Sequence, residues 1–114
     1  LINAFEIFEN ATDYDKGLFI SALDKHIEDL PRLHDHVSTR VKEREKIMVL
    51  KEKFNAGVYG FSYDQLVFFL NSFNYYANSA NTNEDLDDSA REMLWMKAKK
   101  YSRQIEDVLD EYRK

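Results

Sequence analysis

Apolar residues recur at steps of three and four over most of this chain. Between residues 83 and 114 the series Leu86, Ala90, Leu94, Ala98, Tyr101, Ile105, Val108 and Tyr112 runs without Gly or Pro, which predicts one long amphipathic helix. At about 1.5 Å per residue it would reach roughly 45 Å, longer than a domain of this size is wide, so part of it is expected to project and meet another chain.

Upstream, Leu1, Ile2, Ala4, Phe5, Ile7 and Phe8 predict a short helix ending near Asn10, with Asn10 to Asp13 supplying turn and capping side chains. Leu18, Phe19, Ala22, Leu23, Ile27 and Leu30 define a second helix from Asp13 or Asp15, stopped at Pro31 because proline removes an amide donor. A third is expected from Arg32 or Leu33 to Phe54, with Leu33, Val37, Val41 and Met48, then Ile47, Leu50 and Phe54, facing inward. Gly57 and Gly60 are expected to supply left-handed geometry at its end, and Ser62 with Gln65 forms a capping box that starts a fourth helix over Tyr63 to about Ser79. Leu66, Val67, Phe68, Phe69, Leu70, Phe73, Tyr75, Tyr76 and Ala77 cover too wide an arc for a half-solvated helix, so the fourth helix is either central or an interface. Asn78 to Asn83 read as a polar linker.

Composition narrows the class. One Pro and three Gly are too few for the turns of a β-fold, and 44% hydrophobic residues suffice for a core, so the expectation is an all-α bundle of about five helices, one domain over residues 1–114. The absence of Cys rules out disulfides, thiolate zinc sites and cysteine nucleophiles, and fits a cytoplasmic protein. The longest apolar run, Leu66 to Leu70, is far too short to span a bilayer, so no membrane association is expected. A first residue of Leu rather than Met predicts that the chain is a piece of a longer product.

Net charge is −5 but alternates in blocks. Residues 1–31 hold two basic against seven acidic side chains, residues 32–53 seven against four, residues 54–96 one against six, and residues 97–114 six against four. Basic blocks inside an acidic protein complement a neighbouring helix or a partner more readily than a phosphate backbone.

Candidate chemistry is thin. Asn81, Asn83, Asp85, Asp87, Ser89 and Glu92 match a calcium-loop spacing, but Leu86 stands where that loop turns on Gly. The same residues read better as a helix start, with Asn81, Thr82 or Asn83 as the cap and the acids complementing the helix dipole. His34 next to Asp35, with His26 upstream and Asp64 downstream, has the residue types of a metal-dependent helical phosphohydrolase, yet Pro31 intervenes and His34 and His36 point apart on a helix. No serine sits in an elbow motif and no Gly-rich phosphate loop exists. The reading is therefore non-enzymatic, with no catalytic residue, metal or cofactor: a helical module that binds another protein, as an adaptor, an inhibitor, or the dimerisation domain of a regulator that forms a homo-oligomer. Its expected contact residues are Tyr59, Phe61, Phe68, Tyr75, Tyr76 and Trp95. The alternative is a nucleic-acid-associated subunit in which blocks 32–53 and 97–103 converge, with Lys97, Lys99, Lys100 and Arg103 as the contacts.

Overall fold

A computed structural model describes residues 2–80 and 86–113. Five helices follow one another: α1 (Phe5–Glu9), α2 (Asp13–Leu33), α3 (Val37–Ala56), α4 (Tyr63–Ala80) and α5 (Asp88–Arg113). The chain thus forms the expected all-α bundle with a long C-terminal helix. Two short strands, β1 (Ile2–Asn3) and β2 (Gly60–Phe61), were not legible in the pattern; they pair antiparallel, Ile2 opposite Phe61. Ile2 therefore lies in a strand and not in the expected first helix, and Phe5 is exposed on α1.

The local signals account for most boundaries. Thr12 caps α2, its Oγ1 accepting from the Asp15 amide at 3.1 Å. Ser62 and Gln65 close the capping box reciprocally, at 2.9 and 3.1 Å. Gly57, at φ 70°, ends α3 in the left-handed conformation, whereas Gly60 lies in β2. The cap of α5 is Asp87, whose Oδ1 accepts from the Ala90 amide at 2.7 Å; Asn81, Thr82 and Asn83, expected in that role, lie outside the described residues.

Pro31 does not stop α2. Its lost donor affects only the last turn, and the His34 amide still reaches the Leu30 carbonyl at 3.0 Å. Arg40 then takes up the carbonyls of the connection, donating to His34 O at 2.7 Å, Asp35 O at 3.3 Å and Pro31 O at 3.4 Å. The third helix accordingly begins at Val37 instead of Arg32 or Leu33. Of its two expected inward sets only one is used: Ile47 and Leu50 are buried and Phe54 packs on them, while Leu33, Val37, Val41 and Met48 are exposed.

α4 is the central helix, packing on α2, α3 and α5, which resolves its wide apolar arc. Sequence neighbours run antiparallel: Asp24 meets Lys51 and His34 meets Arg40 between α2 and α3, Lys53 meets Gln65 and Lys46 meets Phe68 between α3 and α4, and Asn74 meets Ser102 and Tyr63 meets Arg113 between α4 and α5. α5 buries Leu94, Ala98, Tyr101, Ile105 and Leu109. Its 26 residues make about 39 Å of helix, matching the longest dimension of the molecule, 39 Å, so α5 lies along the bundle and does not project. Among the described residues no helix is long and apolar enough to cross a membrane.

At the centre of the core sits Phe8, fully buried. Its ring meets those of Phe19, Phe54, Tyr59, Phe61 and Phe69 at centroid distances of 5.0 to 5.7 Å, most of them edge to face. Phe8→Ala is expected to cost about 3–5 kcal/mol in chemical denaturation, because five rings cannot close over the void. Glycine substitutions should have opposite signs. Gly17→Ala, where an added Cβ meets nothing within 4 Å, should stabilise by about 0.5–1 kcal/mol, and Gly57→Ala, held at φ 70°, should destabilise by about 1–2 kcal/mol; thermal melts of both variants check this.

Candidate functional site

Two buried carboxylates on α2 join the helices. Asp15, in its first turn, accepts the Tyr101 hydroxyl and faces the Lys97 ammonium of α5 at 3.0 Å. Its Oδ1 meets that ammonium as an ion pair without a well-aligned hydrogen bond. Burial alone would raise this carboxyl; the Tyr101 hydroxyl and the Lys97 charge overcome it and hold the pKa below the ordinary 3.8. Burial, and then the carboxylate beside it, push the Tyr101 phenol upward. Nearer the other end of α2, Asp29 accepts from Tyr75 of α4 at 2.5 Å and pairs with Arg32 at 3.1 Å and Lys25 at 3.4 Å. Burial again opposes ionisation, and Tyr75 with the two cations lowers the pKa. Each cluster ionises its acid and keeps its phenol protonated, and the carboxylates are engaged with partners inside the fold. Their work is to fix the register of α2 against α4 and α5.

The metal candidates are not brought together. His26 is half-buried, its Nδ1 2.7 Å from the buried Ser72 hydroxyl and its ring stacked on Phe68 at 5.3 Å. His34 and Asp35 lie in the α2–α3 connection and Asp64 is exposed in the first turn of α4. Among the described residues no group of three or more His, Asp or Glu side chains could hold an ion. Of the calcium-loop spacing, Asn81, Asn83 and Asp85 lie outside the described residues, and Asp87 is engaged as a helix cap.

The expected contact residues separate into three kinds. Tyr59 and Phe61 are buried in the Phe8 cluster, 6% and 0% exposed, and are core, not contact surface: the β1–β2 pairing folds their segment over α1, which sequence spacing could not reveal. Phe68, Tyr75 and Tyr76 are half-buried, Phe68 beneath His26 with the Lys46 ammonium 5.7 Å from its ring centre. Trp95 is exposed, with the Lys99 ammonium 3.7 Å over its ring. What the spacing missed is the outer face of α3, where Val37, Val41, Met48 and Val49 stand exposed. The signal was present: α3 carries two apolar sets on opposite sides, and one helix can bury only one of them.

Among the expected nucleic-acid contacts, Lys97 is paired with Asp15, while Lys99, Lys100 and Arg103 are exposed, Lys99 over the Trp95 ring and Lys100 5.3 Å from the Tyr101 ring centre. Principal contacts do not join the two basic blocks: α3 packs on α2 and α4, and α5 on α4 and α1. Comparison of the chain with known protein families, with curated proteins and with solved structures finds no match. Function is therefore argued from geometry alone.

His26 supplies a pH test. Burial lowers its pKa below the ordinary 6.5, aided by His34 and opposed by Glu43 and Asp29. The unfolded chain thus binds this proton at a pH where the folded chain does not, so stability is full above that range and falls as pH drops below about 6.5. The buried carboxylates act in a separate window, below their ordinary 3.8. Denaturation midpoints should fall between about pH 7.5 and 5 in the native chain and change less in His26→Gln; an equal slope in both would refute the assignment.

Proposed function

We infer that this chain is a non-enzymatic helical module that binds another protein through the outer face of α3. The observation that carries this reading is that α3 turns Val37, Val41 and Met48 to solvent, 68%, 51% and 40% exposed, while Ile47 and Leu50 hold the opposite side in the core. These three lie at steps of four and seven, the spacing of a seam between two helices. An isolated exposed valine is ordinary, but an apolar row along one helix marks a contact surface.

Charge indicates the kind of partner. α3 carries six basic against three acidic residues in a chain whose net charge is −5. An amphipathic helix with an apolar stripe and acidic flanks complements it in both respects. Beside the row, Val49, Leu50 and Phe68 line a groove of about 390 Å³ between α3 and α4, whose polar lining is Lys42 and Lys46 with Glu45, Asp64 and Gln65. It extends the apolar surface onto the central helix.

The test is affinity capture of the tagged protein from its own cells, with and without nuclease, alongside a Val41→Asp/Met48→Asp variant. Both side chains are exposed, so the variant should keep its circular dichroism and melting temperature. A stoichiometric protein partner that survives nuclease and is lost in the variant is the expected outcome. A partner retained by the variant, a lone monomer in every arm, or retention that nuclease abolishes would overturn the reading.

A further inference from the structure

Between α4 and α5 runs a second groove, of about 440 Å³, on the side of α5 that carries Trp95. Its floor is low because alanines face each other where the helices cross: Ala77 of α4 and Ala98 of α5 are both buried, and neither fills the gap. The α5 wall is formed at successive turns by Trp95, Lys99 and Arg103, and the α4 wall by Asn74 and Asn78 one turn apart. Its volume is that of a small-molecule site.

The groove is rich in uncommitted donors. Arg103 is exposed and makes no hydrogen bond or ion pair among the described residues, and Lys99 engages only the Trp95 ring. Asn74 Oδ1 accepts from Ser102 at 2.9 Å, which leaves its amide nitrogen free to donate, and Asn78 has no bond among the described residues. The single carboxylate, Glu106, sits one turn beyond Arg103 and can accept a hydroxyl or an amino group. A flat apolar ring, amides that read a polar edge, and two cations are a set that one ligand class satisfies at once.

The geometry points to a nucleotide-binding site in the α4–α5 groove, with the base stacked on Trp95, its edge read by Asn74 and Asn78, and its phosphate held by Lys99 and Arg103. On binding, the Lys99 ammonium leaves the indole face for the phosphate, exchanging a cation–π contact for a charge-assisted hydrogen bond. The cations at the groove number two, and Asp107, Asp110 and Glu111 follow them on α5, so it suits one nucleotide and not a long backbone. That nucleotide is either free or part of a single strand. This site is separate from the α3 face, and its test is independent of partner capture.

Trp95 is the only tryptophan in the chain, so tryptophan emission, excited beyond the absorption of the seven tyrosines, reports on this groove alone. The full chain is titrated at low salt with AMP, UMP, uridine, inorganic phosphate and short oligouridylates, with calorimetry in parallel. The expected result is saturable quenching by AMP and UMP, at least about tenfold weaker binding of uridine or phosphate alone, and a loss of about tenfold in Arg103→Glu at unchanged circular dichroism. Affinity that grows with strand length identifies a single strand as the source; affinity that is flat per nucleotide identifies the free nucleotide. Absence of saturable binding up to millimolar nucleotide, equal binding of inorganic phosphate, or unchanged affinity in Arg103→Glu would overturn the proposal.

Discussion

The burial of Phe8 is the constraint on which the rest of the bundle depends. α1 is a five-residue helix and could not persist alone, yet its one fully buried side chain touches rings from α2, α3, α4 and the segment at β2. Phe19 carries the cluster onward to Phe73 and Tyr101, and so to α5. Every helix thus contributes to one continuous apolar body. Edge-to-face contacts between rings are directional, so the cluster fixes orientations as well as burying area. The Ala4 amide, bonded to Tyr59 O at 2.9 Å, holds the small helix in place so that Phe8 points inward.

Around that apolar centre the polar anchors follow one design. Asp15 and Asp29 lie on α2 and meet Tyr101 of α5 and Tyr75 of α4, each with a cation beside the carboxylate. A buried acid without such partners would cost several kcal/mol, on the order of the whole stability of a small domain. With them, the clusters penalise a slip of α2 along its neighbours: a slide of one turn would take Asp15 from both Tyr101 and Lys97, and Asp29 from Tyr75 while its own-helix cations Lys25 and Arg32 moved with it. The first turn of α3 is held differently, by Arg40 donating to the carbonyls at the end of α2 and in the connection that follows it.

Much of this was legible where the signal is local. The box Ser62 to Gln65, the left-handed Gly57 and the stripe Leu94, Ala98, Tyr101 and Ile105 depend on residues within a few positions of one another, and spacing reads them directly. Tyr59 and Phe61 show the limit: their burial depends on a strand pairing some fifty-eight positions away, which no local period records. Pro31 shows another, since the rule against internal proline is weak in a last turn, where the His34 amide still closes on Leu30 O and Arg40 takes up the free carbonyls of Pro31 and His34. Trp95 is exposed, as its place off the helix stripe suggests, whereas the nearness of Asn74 and Asn78 to it carries no signal until α4 and α5 are seen side by side.

The pairing of β1 with β2 also orders events during synthesis. Phe8 leaves the ribosome some fifty residues ahead of Phe61, which at about 5–20 residues per second is a wait of several seconds. Through that interval a ring that is fully buried in the finished protein has no β2 to close over it, and α1 is too short to shelter it. The Phe8 ring therefore reaches its native surroundings only after the β2 segment has been made, however early its own helix has formed.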